Sequence, residues 1–204
     1  MNRPRRSRPM RREILMSLTL ALASALCAAD EPDPHAHHRM MSDEVRVSHV
    51  LYDVPDVELR DEQGHPVRLR ELLADDRPLA VNFIYTSCTT ICPVMTATFL
   101  QLQKDLAADP QRPRFVSISI DPDLDTAPVL REYAGRFGAS WSFLTGQSAD
   151  VLGVLRSFDA WRGNKTNHVA ITLFRAPHGK HWTRIEGLAS AEHLTHLWKD
   201  LESS

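Results

Sequence analysis

The chain has 204 residues with 24 Lys and Arg against 26 Asp and Glu, so its formal net charge is −2 at pH 7. Residues 1–29 hold six of the basic residues and one acid, which leaves 18 basic and 25 acidic residues in 30–204, a net charge of −7. This acidic balance argues against a nucleic-acid partner, because phosphate backbones require a basic surface. The remaining length of about 175 residues suits one domain with a proper core.

Residues 1–29 have the layout of an export signal or an N-terminal anchor. Six arginines precede the apolar run ILMSLTLALASALCAA, which ends in small residues. That run has 16 residues, fewer than the roughly 20 of a spanning helix, which favours a cleaved signal over a retained anchor. Either interpretation predicts an exported protein, periplasmic or tethered to the outer face of the inner membrane.

Residues 30–48 are predicted to form a flexible leader that contains histidine and methionine, and residues 49–204 a single domain. The leader includes PHAHHRMM, residues 34–41. Imidazole and thioether groups bind copper, so one interpretation of this segment is a copper-capturing arm, and the other is a solvated leader.

The elements of the domain follow an α/β order. Residues 52–69 alternate around Gly64 and predict a β-hairpin. Residues 79–86 predict a buried strand, and a helix follows in which Pro93 suits the first position. Residues 114–120 predict a second buried strand, parallel to the first because a helical crossover joins them. Further helices are expected through residues 130–137 and 150–158. A hairpin of residues 169–174 and 181–187 precedes a last helix capped by Ser190.

Two cysteines lie at the turn between the first buried strand and its helix, in FIYTSCTTICPVM. Cys88 and Cys92 are four positions apart, so both can project from one side of a helical turn and meet at one disulfide or one metal ion. A helix N-terminus also favours the thiolate form. The spacing is neither C-x-x-C nor the C-x-x-C-H of haem attachment. Tyr85 stands where a peroxidase pattern would need proline.

A redox dithiol at the carboxyl end of a core strand predicts an α/β thioredoxin-like fold, with a central mixed sheet flanked by helices and an added N-terminal β-hairpin.

These motifs resemble the SCO/SenC family, copper-binding thioredoxin-like assembly factors for cytochrome c oxidase. The resemblance covers roughly residues 52–201 and rests on NFIYTSCTTICPVM, SISIDPDLDT, FLTG and the histidine before VAITLF. It implies that Cys88, Cys92 and His168 bind copper and that Asp121 has a supporting role near them. The family usually has aspartate before this histidine, where Asn167 stands here. If that acid orients the imidazole, Asn167 weakens Cu(II) binding. For Asp125, we expect a cap on the following helix.

The ligand chemistry agrees with copper. Soft thiolates select Cu(I), and imidazole suits both Cu(I) and Cu(II). Structural zinc normally has four protein ligands, whereas three are implied here.

We therefore predict a copper metallochaperone that delivers copper to, or reduces the cysteines of, the binuclear CuA site of a respiratory cytochrome c oxidase. Its expected partners are the copper-binding subunit of that oxidase, other copper chaperones and thiol–disulfide reductants. No enzymatic activity is predicted beyond thiol–disulfide reduction by Cys88 and Cys92. The alternatives are an exported thiol–disulfide oxidoreductase with incidental copper binding, and a binding domain in which the two cysteines form a structural disulfide.

Overall fold

The computed structural model describes residues 45–74 and 76–202. Its strands are β1 Arg46–Val50, β2 Glu58–Arg60, β3 Pro66–Arg68, β4 Leu79–Ile84, β5 Arg114–Ser119, β6 Ser142–Leu144, β7 Ile171–Arg175 and β8 Trp182–Glu186. Its helices are α1 Leu69–Ala74, α2 Ile91–Asp105, α3 Ala127–Phe137, α4 Ser148–Ser157 and α5 Ala191–Glu202, with a short 3₁₀ helix at Lys165–Asn167.

The main sheet is mixed, as the sequence predicts. Its six strands lie in the order β1-β8-β7-β4-β5-β6. Strands β4, β5 and β6 are parallel, whereas β7, β8 and β1 continue the sheet in antiparallel pairs. Helix α2 provides the crossover between β4 and β5, so the carboxyl ends of these two central strands lie side by side at one edge of the sheet. The turn that holds both cysteines begins at this edge.

The central strands are buried on both faces because a layer of helices covers each face of the sheet. Every residue of β4 is buried, and such strands are continuously apolar rather than alternating. On one face, Val81 and Phe83 pack with Val154 of α4. On the other face, Ala80 and Ile84 share a cluster with side chains of α2, α3 and α5, and this second cluster includes both cysteines.

The predicted N-terminal hairpin is present as the separate two-stranded sheet of β2 and β3. Gly64 lies in its turn with a φ of 90°, a conformation that only glycine adopts without strain. The backbone of Arg60 exchanges two hydrogen bonds with that of Thr145, at 2.7 and 2.9 Å. These bonds attach the hairpin to the end of β6.

The boundary predicted between leader and domain, at residues 48 and 49, falls within a strand. Strand β1 begins at Arg46, inside the range 30–48 assigned to the leader, and pairs with β8 over five residues. Its side chains are exposed or half-buried, so its apolar pattern is weak, and the strand is held mainly by backbone hydrogen bonds. The earlier part of the leader and residues 1–29 lie outside the described residues, so their predicted roles stay predictions.

Smaller differences concern the helices. Helix α2 begins at Ile91, so Pro93 is its third residue rather than its first. The missing N–H of proline is still harmless there, because the first four helical N–H groups have no intrahelical acceptor. The expected cap at Ser190 is confirmed, since its Oγ accepts the N–H of His193 at 3.1 Å. The short elements α1 and β6 were not predicted.

Among the described residues, none of the helices combines the length and apolar character needed to span a membrane.

Candidate functional site

The dithiol turn, residues 85–92, brings the two predicted cysteines into contact. Cys88 precedes α2 and Cys92 lies in its first turn, and both thiols are free and buried. The N–H of Cys92 donates to Sγ of Cys88 at 3.4 Å. Thr90 at the N-cap makes no side-chain capping bond, so the sulfur of Cys88 takes over an N–H that would otherwise be left without an acceptor.

The two thiols differ in acidity because their surroundings differ. Burial alone would raise the pKa of Cys88, but hydrogen bonds from the backbone N–H groups of Cys92 and Thr90 lower it to about 7. Burial raises the pKa of Cys92, and the negative charges of Cys88 and Asp125 raise it further. Cys88 is therefore the cysteine that can form a thiolate near neutral pH, whereas Cys92 stays a protonated thiol there.

Tyr85 contacts both the dithiol and His168, and its role was not predicted. Its side chain hydrogen-bonds to Cys88, and burial together with this bond raises the pKa of the phenol to about 12, so the hydroxyl stays a donor. Its backbone N–H donates to the sulfur of Cys92 and tempers the rise in that thiol's pKa. The ring meets the imidazole of His168 edge-on, with centroids 6.2 Å apart. The available signal was its position directly after a strand and three residues before a cysteine.

Asp125 supports the dithiol turn instead of capping the next helix, which corrects the prediction. Its buried carboxylate accepts the hydroxyl of Thr86 at 2.5 Å, the N–H of the same residue at 3.2 Å and the hydroxyl of Ser119 at 2.6 Å. Burial is the main reason that the pKa of Asp125 is raised. Helix α3 has Thr126 at its N-cap without a side-chain capping bond. Asp125 thus ties the chain after β5 to the start of the dithiol turn.

His168 lies at the end of the His168 loop, residues 159–168, and is packed against β4. Its Nε2 is 2.9 Å from the carbonyl oxygen of Phe83. A carbonyl only accepts, so Nε2 carries the proton and Nδ1 keeps its lone pair. Nδ1 is buried and has no hydrogen-bond partner within the described residues. Burial lowers the pKa of His168, so the ring is neutral at pH 7.

The structure does not gather the three predicted ligands around one point. Cys88 and Cys92 are adjacent, but across residues 45–74 and 76–202 no three or more His, Cys, Asp or Glu side chains are grouped to hold a metal ion. The imidazole of His168 is instead hydrogen-bonded to the carbonyl of Phe83 and lies beside the ring of Tyr85. The set of Cys88, Cys92 and His168 therefore stays a prediction that requires His168 to change position.

Asp121 and Asn167 contact the His168 loop rather than the sulfurs. Oδ2 of Asp121 accepts from Nζ of Lys165 at 2.6 Å. Asn167 is exposed, and its side chain donates to the carbonyl of Arg162 at 3.2 Å. The acceptor role that an acid at position 167 was expected to play toward the imidazole is filled here by the carbonyl of Phe83.

Comparison with known proteins identifies the family. A sequence profile described as SCO1/SenC matches residues 54–201, most of the chain. The chain belongs to the SCO1/SenC family. It is 36% identical to the SCO1 protein homolog of Bacillus subtilis (strain 168) over 114 residues, which cover 53% of this chain and 58% of that relative. The matched region thus spans little more than half of the relative's length.

Solved structures of the family share the fold. The structure of BsSco, a member of the Sco family of cytochrome c oxidase assembly proteins in which a disulfide switch was identified, is 28% identical with a TM-score of 0.63 and covers 76% of this chain and 96% of its own. Arabidopsis thaliana ScoI, solved with copper bound, is 20% identical with a TM-score of 0.64 and covers 76% of this chain and all of its own. The predicted thioredoxin-like fold and family are confirmed.

Proposed function

We propose that this chain binds copper through Cys88, Cys92 and His168 and serves the assembly of the CuA site of a cytochrome c oxidase. The observation that carries the proposal is the pair of cysteines at the N-terminus of α2, where the N–H of Cys92 donates to the sulfur of Cys88 at 3.4 Å. The nearby imidazole, whose one nitrogen is held by a carbonyl while the other has a free lone pair, supplies the third donor.

The donor set fits copper better than the competing metals. Two thiolates and one imidazole are soft and intermediate donors, which favour Cu(I) and are acceptable to Cu(II). Structural zinc sites are closed by four protein ligands. A carbonyl bond to the remote N–H of a ligating histidine is the usual device that fixes its tautomer. In the metal-free chain the Phe83 carbonyl makes such a bond to His168 and leaves Nδ1 with its lone pair, and the imidazole would exchange this bond for another acceptor when it moves to join the two sulfurs.

Protonation explains what each residue contributes. About half of the Cys88 side chain is already thiolate near pH 7, because its pKa is about 7. Cys92 must release its proton on binding, so copper affinity should rise with pH. The hydroxyl of Tyr85 donates to the sulfur of Cys88 and helps to stabilise negative charge on it.

Thiol–disulfide exchange is the second candidate, and the unequal acidity of the two thiols favours it. The thiolate of Cys88 would attack a disulfide in a client protein, forming a mixed disulfide and releasing one client thiolate. Cys92, after losing its proton, would attack the sulfur of Cys88 and release the second client thiolate. The client gains two electrons, Cys88 and Cys92 end as a disulfide, and a dithiol reductant must restore them.

The family and the N-terminal sequence support the proposed client and the proposed compartment. BsSco belongs to a family of cytochrome c oxidase assembly proteins, so the copper-binding subunit of an oxidase is the proposed partner. The arginine-rich start followed by an apolar run supports export, as a periplasmic protein or one tethered to the outer face of the inner membrane.

An anaerobic copper titration of the reduced protein tests the proposal. One equivalent of Cu(II) should give thiolate charge-transfer bands, which should vanish in Cys88→Ser and Cys92→Ser and shift in His168→Ala. His196→Ala, on the exposed side of α5, is the matched control and should match wild type. Unchanged bands in Cys88→Ser would refute the assignment.

A second experiment separates the two activities. The purified copper-site domain of an oxidase is mixed with the copper-loaded protein or with the reduced, metal-free protein. Copper in the client after the first mixture supports delivery, whereas free client thiols after the second mixture support reduction. A client that gains neither would contradict the proposed function.

A further inference from the structure

The second half of the His168 loop is attached to the domain mainly by polar contacts. No residue from Arg162 to His168 is fully buried, and the short 3₁₀ helix buries none of its side chains. A groove of about 300 Å³ lies along this segment, with Asp121, Trp161 and Lys165 among its lining residues. A segment with so little buried apolar surface can open at a low free-energy cost.

Lys165 links this segment to the chain that follows β5. Its Nζ lies 2.6 Å from Oδ2 of Asp121, and the two side chains are 37% and 13% exposed. The same ammonium group lies 5.9 Å from the centre of the Tyr85 ring, within the range of a cation–π interaction. Lys165 therefore contacts Asp121, which lines the groove, and Tyr85, which touches both the dithiol and His168.

Lys165 and His168 belong to one rigid turn. The N–H of His168 donates to the carbonyl of Lys165 at 3.2 Å. The side chain of Asn164 accepts the N–H groups of Thr166 and Asn167, which closes the start of the 3₁₀ helix. A displacement of Lys165 away from Asp121 would accordingly carry the imidazole with it.

We propose that Lys165 is a positioning residue that latches His168 onto the Phe83 carbonyl in the metal-free protein through its ion pair with Asp121. Release of this ion pair frees the imidazole to join Cys88 and Cys92. The consequence for copper rests on the proposed function, whereas the latch itself is a property of the metal-free chain.

The latch sets an equilibrium between a packed and a released imidazole. A ligand that needs the released state binds more weakly in proportion to how rarely that state is populated. Weakening the latch should therefore raise the affinity for copper, and bound copper should in turn weaken the ion pair, because such coupling is reciprocal.

Chemical modification of the reduced, metal-free full-length protein tests the latch. Diethylpyrocarbonate acylates accessible neutral imidazole, and the tryptic peptide that ends at Arg175 contains His168 as its single histidine in wild type and in Lys165→Met. Mass spectrometry of that peptide gives the modification rate of His168, with exposed His196 of α5 as the internal reference.

Lys165→Met and Asp121→Asn should each raise the His168 rate about two- to fivefold, the range expected of a partly exposed ion pair. Lys165→Arg should keep the wild-type rate. Lys180→Met, in the exposed turn between β7 and β8, is the matched control. The double variant should show no further gain over either single variant, because both changes remove the same interaction. In wild type, 1 M salt should also raise the rate.

Unchanged His168 rates in both single variants, or fully additive rates in the double variant, would overturn the latch. An equal rise in the modification rate of His196 would indicate that the whole protein has become more flexible. That result would overturn the latch as well. If Lys165→Met folds poorly, the His168 modification rates of Asp121→Asn and of wild type in 1 M salt test the latch without it.

Copper affinity provides the second readout. Lys165→Met should bind Cu(II) about two- to fivefold more tightly than wild type, the same factor as in the modification rate. Faster modification of His168 in Lys165→Met without tighter Cu(II) binding would contradict the coupling to the metal site. Absence of copper binding in wild type would refute the proposed function but leave the modification result for the latch intact.

Discussion

The dithiol turn and the His168 loop meet at Tyr85, but they are built in different ways. The dithiol turn joins β4 to α2, buries both cysteines and is braced by a buried carboxylate from the next crossover. The second half of the His168 loop has no fully buried residue and is joined to the chain after β5 by one partly exposed ion pair. The sulfur half of the proposed copper site is thus preformed, and the imidazole half is adjustable.

This difference suits the proposed copper delivery, in which the chain would both take up and release the metal. Soft sulfur donors that already lie in one buried turn give a fixed starting point for binding. An imidazole that joins from a weakly attached loop can also leave, and its departure would open a coordination position for the ligands of a client. The four predictions below test whether the two halves differ as strongly as the structure indicates.

The largest effect is expected from removing the brace of the dithiol turn. Asp125→Ala should lower the free energy of unfolding by about 2–3 kcal/mol, because a buried donor left without an acceptor costs about 1–3 kcal/mol. The backbone N–H of Thr86 cannot turn to another partner, whereas the hydroxyls of Thr86 and Ser119 can. Urea denaturation measures the change. Asp53→Ala, at a fully exposed carboxylate, is the control and should leave the midpoint unchanged; a comparable loss there would contradict the special role of Asp125.

The second prediction concerns the inequality of the two thiols. Alkylation of the reduced protein by iodoacetamide should occur first at Cys88 and should rise through pH 7, following its pKa of about 7. An ordinary thiol would show this rise near pH 8.5. Cys92 should react far more slowly over the same pH range, because burial raises its pKa. Fragment mass spectrometry assigns each adduct. Equal rates for the two thiols at pH 7 would contradict the asymmetry.

Tyr85→Phe should produce a moderate effect on one half of the site. Loss of the hydroxyl removes its hydrogen bond to Cys88, which should move the pH midpoint of Cys88 alkylation upward by about 0.5 to 1, since one net hydrogen bond contributes about 0.5–1.5 kcal/mol. The ring remains, so its contact with His168 should persist. The His168 modification rate serves as the control and should not change. A changed modification rate at His168 together with an unchanged pH midpoint of Cys88 alkylation would contradict the roles assigned to the hydroxyl and the ring of Tyr85.

The features that could be predicted from the sequence are the local ones. The cysteine spacing, the strand before it and the helix after it lie within about 20 residues, so strand–turn–helix patterns and the helix N-terminus indicated a reactive pair. The predicted hairpins and the cap at Ser190 also rest on short-range rules, and the structure contains them.

The features that could not be predicted depend on residues distant in sequence. Asp125 meets Thr86 across 39 residues, and the local rule for a residue preceding a helix pointed to a cap instead. His168 meets Phe83 across 85 residues, so no pattern around the histidine reveals which carbonyl holds its ring. The sequence also did not indicate the ion pair of Lys165, because a lysine in a polar loop is normally solvated.

The smallest effect is expected at Asn167, where a family pattern and the structure point in opposite directions. An acid at this position would matter if it accepted the remote N–H of the imidazole, and Asn167→Asp would then raise Cu(II) affinity more than Cu(I) affinity. In the structure that N–H is bonded to the Phe83 carbonyl, and the side chain of Asn167 is turned toward the carbonyl of Arg162. We therefore expect Asn167→Asp to change both affinities by less than about twofold, as an exposed substitution typically does. Parallel titrations with Cu(I) and Cu(II) measure both constants, and Thr166→Ser, at the exposed neighbouring position, is the control. A selective gain of tenfold or more for Cu(II) would show that residue 167 reaches the imidazole once His168 has left the Phe83 carbonyl, and the adjustable half of the site would then include a second partner for the ring.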